Sequence, residues 1–175
     1  MKNKIALFLF LVFSLAAFAQ GDAYGEAVKK CIKSNGTMAY YEDVMEQMYD
    51  MLEVQFRDVN VPDTVWREVK KGKKEAMDEL AEMIVSAYRA HFTHEDVKNM
   101  NVLYASKAGK NMFEKDALTA GDKKVLSAFY KSETGNKIVS SQDSMNEAMG
   151  KISEMWSSEV YRGAIALLSQ KGYDL

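Results

Sequence analysis

Apolar side chains recur at three- and four-residue steps along most of the chain after residue 19, and this spacing constrains the fold more than any other feature. Such steps place side chains on one face of an α-helix. No stretch alternates with period two for long enough to predict a strand. Proline, which interrupts helices, occurs once, at Pro62. We therefore expect an all-α protein, a single compact bundle of six to eight helices. The clearest apolar stripe is Tyr41, Met45, Met48, Leu52 and Phe56.

The first 19 residues have the three parts of a cleavable secretory signal. Lys2 and Lys4 precede an apolar run from Ile5 to Phe13, and Ala17-Phe18-Ala19 is a small-x-small cleavage site. The run is shorter than the ~20 residues that a transmembrane helix needs, although an uncut anchor is the alternative. Cleavage near Ala19 predicts a single helical domain at residues 20–175 that is periplasmic or secreted.

The charge of this domain argues against a polyanionic partner. The leader carries two of the 23 basic residues and none of the 25 acidic ones, so the mature chain has a formal charge of −4. A mildly acidic chain has no general attraction for nucleic acid or for anionic membranes. No later segment approaches transmembrane length. We expect a soluble domain without a nucleic-acid partner.

The chain has one cysteine, Cys31, so an internal disulfide cannot form. Cys31 lies near Val28 and Ile32 on a predicted helix, which indicates a buried core position. A bridge between two chains is the alternative. The domain must therefore be stabilised by its core.

Capping residues and breaks divide the chain into helices. A first helix from about Asp22 ends at Asn35-Gly36, and a second covers about 37–56. A long helix follows over about 63–92, and Gly72 within it is expected to bend or break it. The last helix covers about 142–170.

Residues 92–113 resemble residues 118–139 at an offset of 26, which predicts an internal repeat. Each copy has the pattern of a helix, a corner and a second helix. The Thr and the Asp three residues later approximate a capping box, and the Ser caps the following helix. The Gly lies either in the first turn of that helix or at the C-terminal end of a helix. The pattern predicts a duplicated hairpin around a pseudo-twofold axis. The identical positions are Thr93, Asp96, Lys98, Tyr104, Ser106 and Gly109, matching Thr119, Asp122, Lys124, Tyr130, Ser132 and Gly135.

The repeated element resembles the signature of a bacterial family, domain-of-unknown-function family 2059 (DUF2059). Its members show Tyr-x-x-x-Phe-Thr-x-x-Glu and then Phe-Tyr-x-Ser-Pro-x-Gly. The lead-in here is residues 88–96, and residues 129–135 resemble the later part, with Lys107 and Glu133 in place of the proline. The resemblance implies an exported, all-helical envelope protein. It implies no activity, because the family has no established catalytic residues.

The sequence contains no recognisable catalytic motif. His94-Glu95 begins a zinc-protease pattern, but Lys98 stands where the second histidine is needed. A Gly-x-Ser-x-Gly elbow and a phosphate-binding glycine loop are both missing. The single thiol of Cys31 has no nearby histidine in sequence and apolar neighbours, which argues against cysteine catalysis. We therefore predict no catalytic residue, no metal site and no cofactor.

Two weaker binding signals remain. Met45, Met48 and Met51 place three thioethers on one broad helical face, a soft set that would suit Cu(I), although core packing explains the first two equally well. The second signal is a basic cluster that would attract phosphate or an acidic glycan if it is more than a solvated helix face. The cluster consists of Lys70, Lys71, Lys73 and Lys74.

The resulting hypothesis is an exported, non-enzymatic helical domain of the cell envelope that binds or docks something. One alternative is a binder of a hydrophobic small molecule or lipid between helices, and another is a hydrolase that uses carboxylates. An unknown envelope protein could instead dock on an exposed apolar stripe. A binder predicts a cavity, and a hydrolase predicts a cleft with two carboxylates, one of raised pKa.

Overall fold

The computed structural model describes residues 23–114 and 117–174. The predicted secretory signal at residues 1–19 lies outside the described residues. Within these ranges the protein is an all-α bundle without strands, which confirms the predicted fold class. No described helix has the length and apolar character needed to cross a membrane. The helices are α1 (residues 23–34), α2 (Thr37–Gln55), α3 (Asp63–Lys70), α4 (Lys73–His91), α5 (His94–Ala105), α6 (Lys107–Asn111), α7 (Ala120–Tyr130), α8 (Glu133–Ser140) and α9 (Gln142–Gln170).

The long helix expected over 63–92 is broken into α3 and α4. The chain turns at Lys71-Gly72, and α4 begins at Lys73 with no side chain capping its first turn. Lys71 and Gly72 both keep backbone angles of the α-helical region, so the break between α3 and α4 is a tight corner of two residues. This corner lies beside α1 and α2, and it brings the four lysines on either side of Gly72 to the bundle surface.

The core lies where α9 crosses α4, with α2 packed against α4. Trp156 of α9 is 1 % exposed, and its indole N–H donates to the carbonyl oxygen of Ala76 at 2.8 Å. The ring of Tyr41 meets the Trp156 ring edge-on, with centroids 5.4 Å apart. Burying each large apolar side chain of this kind contributes about 1.5–3 kcal/mol. The other large side chains with almost no exposed surface include Ile32, Met45, Leu52, Phe56, Leu80, Ile84 and Leu168.

Both segments of the predicted repeat have the same local structure. Thr93 and Thr119 each begin a helix, and each threonine forms a reciprocal capping box with the aspartate three residues later. The Thr93 N–H donates to Oδ2 of Asp96 at 2.9 Å, and the matching Thr119–Asp122 distance is 3.0 Å. These bonds satisfy N–H groups that a helix start otherwise leaves unpaired. The duplication itself stays a prediction of the sequence pattern.

The corner after each first helix depends on a glycine in the first turn of the second. The N–H of Gly109 donates to the Ser106 hydroxyl oxygen, and that of Gly135 donates to Ser132. A Cβ at Gly109 would lie 2.0 Å from the carbonyl oxygen of Leu103. Gly109 and Gly135 are therefore helix starts, and close approach of the preceding helix end requires the missing side chain.

The two corners differ in burial. Leu103 is buried and Tyr104 half-buried at the first corner, whereas Phe129 is half-buried and Tyr130 is 38 % exposed at the second. Tyr130 therefore does not anchor its corner in the core. The reason is that α7 packs chiefly against α6 and α8, which leaves its outer side open.

Candidate functional site

A lysine-rimmed groove runs between the end of α1, the start of α2 and the α3–α4 corner. Its volume is about 820 Å³, and it is open to solvent along one side. Sites for small molecules typically have volumes of about 300–1,000 Å³. We call this feature the lysine groove; its lining is Lys29, Ile32, Lys33, Met38, Ala39, Glu42, Lys70, Lys71, Lys73, Lys74, Met77, Asp78 and Ala81.

The floor of the lysine groove is apolar. Ile32 is fully buried, Met77 and Ala81 are nearly so, and Met38 is half-buried. These positions belong to three helices, and they meet because α1 and α2 are joined by the short Asn35-Gly36 connection. Because most of this floor is already removed from water, an apolar ligand gains mainly by covering the half-buried Met38.

Six lysines surround this floor and two carboxylates accompany them, Glu42 and Asp78. Four of the lysines are held by carboxylates, mostly from residues outside the groove. Hydrogen bonds to these carboxylates raise the pKa of each of the four amines, so all four are cationic at neutral pH. The Nζ–O distances are 2.7 Å for Lys29–Glu82, 2.8 Å for Lys70–Glu53, 2.6 Å for Lys73–Glu46 and 2.6 Å for Lys74–Asp78.

The remaining two lysines, Lys33 and Lys71, have no ion pair with any residue that the structure describes. Both are exposed at the rim of the groove. The four paired amines fix part of the rim through their carboxylates. Lys33 and Lys71 have no such pair among the described residues. Glu42 of the groove and Glu68 near Lys71 offset part of their charge. An anion that enters the groove therefore finds Lys33 and Lys71 as available partners.

Sequence reasoning found four of the six rim lysines. Lys70, Lys71, Lys73 and Lys74 were grouped because they surround one corner, and the structure places all four along the groove. Lys29 and Lys33 were missed because they come from α1. Lys29 and Lys33 are four residues apart, so they lie on one face of α1, and Ile32 lies between them in sequence. This spacing was the signal that could have predicted a row of lysines beside an apolar side chain.

The three methionines considered as weak candidates for Cu(I) are spread over the buried and exposed sides of α2. Met45 and Met48 are buried in the core, whereas Met51 is 47 % exposed. Each step of three residues rotates a helical position by about 60°, so Met51 lies about 120° around α2 from Met45. The thioethers therefore diverge, and packing accounts for the first two.

The histidines pack against aromatic rings. His94 meets the ring of Tyr24 edge-on at 5.9 Å, and His91 lies 6.2 Å from the ring of Phe92. In the described ranges, no three side chains of His, Cys, Asp or Glu come together to hold a metal ion. Cys31 is fully buried, and burial raises the pKa of its thiol to about 12, although a hydrogen bond with Tyr88 opposes this.

The alternative hypothesis, a hydrolase that uses carboxylates, predicts a cleft that contains acidic side chains. A cleft of about 280 Å³ between α4 and α9 is the candidate. Glu75, Glu79 and Glu159 line it beside Trp156. The carboxyl groups with lowered pKa values lie elsewhere. Hydrogen bonds from lysines lower the pKa of Glu68 and Glu147, and hydrogen bonds from Thr119 and Asn111 lower that of Asp122.

Asp96 is the most deeply buried acid of the described residues, and it lies in the repeated element. Burial raises its pKa, but hydrogen bonds from Lys137, Thr93 and Thr134 outweigh that effect and hold the pKa well below its usual value. Asn99 donates to the Thr134 hydroxyl and extends this network. Because Thr134 and Lys137 belong to α8, the network joins α5 to α8 and serves to hold these two helices together.

Comparison with known proteins gives one match. The model of the family DUF2059, described as an uncharacterized protein conserved in bacteria, matches residues 78–117. This stretch runs from α4 through α6 and includes the first Thr-x-x-Asp capping box, so it confirms the resemblance drawn from the sequence. No curated protein and no solved structure matches the chain. The family description names no activity, and most of the lysine groove lies outside the matched residues.

Proposed function

We propose that this chain is an exported, non-enzymatic binding module of the cell envelope whose ligand is an anionic amphiphile held in the lysine groove. The ligand class is a single acyl chain with a phosphate or carboxylate head. The predicted secretory signal at residues 1–19 supports export.

One observation carries this proposal: an apolar floor and a rim of lysines share one groove of about 820 Å³. An acyl chain gains by covering the half-buried Met38, and an anionic head gains by meeting Lys33 and Lys71. A small inorganic anion would use only the rim. A neutral apolar ligand would leave the two amines without a partner.

The binding hypothesis is favoured over the carboxylate hydrolase by the sizes of the two candidate sites. The cleft between α4 and α9 holds three glutamates, but its volume of about 280 Å³ lies below the roughly 300–1,000 Å³ that is typical of small-molecule sites. A hydrolase needs a polarised acid and base pair with separated pKa values. The lysine groove, by comparison, already combines the two chemistries that an amphiphile requires.

The head-group arm of the test uses lysophosphatidylglycerol below its micelle concentration, with lysophosphatidylcholine as the zwitterionic comparison. We expect the wild-type protein to bind the first more tightly in isothermal titration calorimetry. The double variant Lys33→Gln/Lys71→Gln should weaken that binding about tenfold or more, equivalent to ~1.4 kcal/mol. A matched control, Lys30→Gln/Lys151→Gln, removes the same charge from exposed positions outside the groove and should leave affinity within about twofold.

The tail arm compares two methionines of the same helix. Met38→Gln introduces a polar side chain into the groove floor and should weaken binding of both lysolipids, whereas Met51→Gln lies outside the groove and should not. Equal affinity of wild type and both groove variants would contradict the proposal. So would binding of inorganic phosphate as tight as binding of the lysolipid.

Export is tested separately by intact-mass spectrometry of the protein from cell fractions. We expect a periplasmic or secreted species that begins at Gln20. A cytoplasmic species that retains residues 1–19 would contradict the export proposal, and native spectra of the same sample would report any ligand that copurifies.

A further inference from the structure

Positive charge is concentrated in one part of a chain that is acidic as a whole. The mature chain has a formal charge of −4, whereas residues 107–137 contain seven lysines and four acidic residues. Five exposed lysines lie on α6, on α7 or directly after α7. None of them makes an ion pair with any described residue. They are Lys107, Lys110, Lys123, Lys124 and Lys131.

Exposed apolar side chains accompany these lysines. Val125 is 48 % exposed and Tyr130 is 38 % exposed, and the only buried residue of α7 is Asp122. At 100° per residue from the buried Asp122, Lys124 points outward from α7. Lys123 and Tyr130 lie on one flank, and Val125 lies on the opposite flank. We call Val125, Tyr130 and the five lysines the α6–α7 surface.

The way in which α6 and α7 are held explains why this surface stays open. Asn111 of α6 donates to Asp122 of α7 at 2.9 Å, so the inner side of α7 is fixed by a polar contact. Lys107 lies near enough to Asp122 to contribute to its lowered pKa, which places the start of α6 beside the start of α7. No described helix covers the opposite side, because α7 packs chiefly against α6 and α8.

We propose that the α6–α7 surface docks the protein onto an anionic phospholipid bilayer. Lysines near such a surface are attracted by its negative potential, and the attraction falls off over a Debye length of about 8 Å at physiological salt. Tyrosine and aliphatic side chains beside them enter the boundary between head groups and acyl chains. This surface is distinct from the lysine groove and does not depend on the groove's ligand.

The apolar side chains favour a bilayer over a soluble anionic polymer. A polyphosphate or acidic glycan would engage the five amines and leave Val125 and Tyr130 in water. A bilayer engages both kinds of side chain. The net negative charge of the chain also orients the molecule, because the remainder of the protein is repelled from the anionic surface.

The charge arm of the test is co-sedimentation of the purified protein with vesicles of phosphatidylglycerol and phosphatidylcholine in equal parts, compared with phosphatidylcholine alone. We expect binding to the anionic vesicles only, weakened by raised salt. Lys123→Gln/Lys124→Gln should lower the partition coefficient about tenfold or more. Lys30→Gln/Lys151→Gln removes the same charge elsewhere and should lower it less than threefold.

The apolar arm uses a matched pair of aromatic and aliphatic changes. Val125→Ser/Tyr130→Ser should lower the partition coefficient about fivefold or more at fixed salt. Tyr40→Ser/Val54→Ser changes the same residue types at exposed positions of α2 and should have no effect. Circular dichroism verifies that each variant is folded, which is expected because all the replaced side chains are exposed.

Four outcomes would overturn the proposal. They are no binding to anionic vesicles, equal binding to zwitterionic vesicles, binding to soluble polyphosphate but not to vesicles, and vesicle binding that is lost in Lys33→Gln/Lys71→Gln but retained in Lys123→Gln/Lys124→Gln. The last outcome would assign the membrane contact to the lysine groove. Failure of lysolipid binding with intact vesicle binding would instead contradict only the proposed function.

Discussion

The ammonium group of Lys137 lies 2.5 Å from Oδ2 of Asp96, which precedes it by 41 residues. The carboxylate is almost fully buried, and its other oxygen accepts a hydrogen bond from the Thr134 hydroxyl at 2.9 Å. At the position that the predicted repeat makes equivalent to Lys137, Asn111 donates to Asp122. Helix α5 is thus held by α8 through an ion pair, and α7 is held by α6 through an amide hydrogen bond.

Removing the cation from this contact should destabilise the fold. Lys137→Gln leaves a buried carboxylate with only the donors of Thr93 and Thr134, and we expect the free energy of unfolding to fall by about 1–3 kcal/mol. Urea unfolding followed by circular dichroism measures this change. Lys131→Gln, at an exposed lysine without an ion pair to described residues, should stay within about 0.5 kcal/mol of wild type.

The same pair can be tested by a double-mutant cycle. If Asp96 and Lys137 interact as the distance indicates, Asp96→Asn/Lys137→Gln should lose less stability than the two single changes added together, by about 1 kcal/mol or more. Additive losses would show that the contact is not formed in solution.

Stability should fall in acid, and Asp96 should account for a measurable part of the fall. Because hydrogen bonds outweigh burial and lower the pKa of Asp96 in the folded state, the unfolded chain binds more protons between that pKa and the unfolded value of about 3.9. The contribution is therefore fully present above about pH 5 and is lost as the pH falls below about 4. The pKa values of Glu68 and Glu147 are lowered at more exposed positions, and that of Asp122 is lowered at a buried one.

The measurement is the free energy of urea unfolding at several pH values between 6 and 3. Wild type should lose more stability over this range than Asp96→Asn, which has no carboxyl group to protonate. Equal pH dependence of the two proteins would show that Asp96 titrates normally.

The all-α class and the local capping were predictable from sequence because both depend on short spacings. Thr93 and Asp96 are three residues apart, and the sequence predicted their capping box, which the structure contains. The last helix was expected over about 142–170 and occurs at Gln142–Gln170. Apolar periodicity and capping residues are local signals, so the sequence alone indicates where a helix begins and ends.

The partners of buried polar groups were not predictable. Nothing in the sequence links Asp96 to Lys137, and the repeat obscures the link because the position equivalent to Lys137 is Asn111. The lysine groove presents the same difficulty: Glu46 and Glu53 of α2 reach Lys73 and Lys70 only after the bundle has formed. Long-range pairing follows from the packing of helices, which a single sequence does not specify.

Adding a methyl group at either corner glycine should be strongly destabilising. In Gly109→Ala the new Cβ would lie 2.0 Å from the Leu103 carbonyl oxygen, and in Gly135→Ala it would lie 2.2 Å from that of Phe129. Backbone must move to relieve such contacts, so we expect a loss of about 2–4 kcal/mol in each.

The control for these changes is Gly150→Ala in the middle of α9. A Cβ there meets nothing within 4 Å, and alanine favours a helix interior, so stability should rise by about 0.5–1 kcal/mol. Thermal or urea unfolding of the three variants provides the comparison. A corner variant as stable as Gly150→Ala would contradict the close approach at that corner.

The thiol of Cys31 should be unreactive until the protein unfolds. It has no exposed surface, and burial raises its pKa to about 12 against the weaker opposing effect of a hydrogen bond with Tyr88, so the reactive thiolate is scarce at neutral pH. Native protein should therefore resist iodoacetamide for hours, whereas protein in urea above its unfolding midpoint should be alkylated within minutes. Protein handled without reductant should run as a monomer on a denaturing gel, since a buried thiol cannot reach a second chain. Rapid labelling of the native protein, or a disulfide-linked dimer that is abolished by Cys31→Ala, would show that α1 opens and exposes this side of the core.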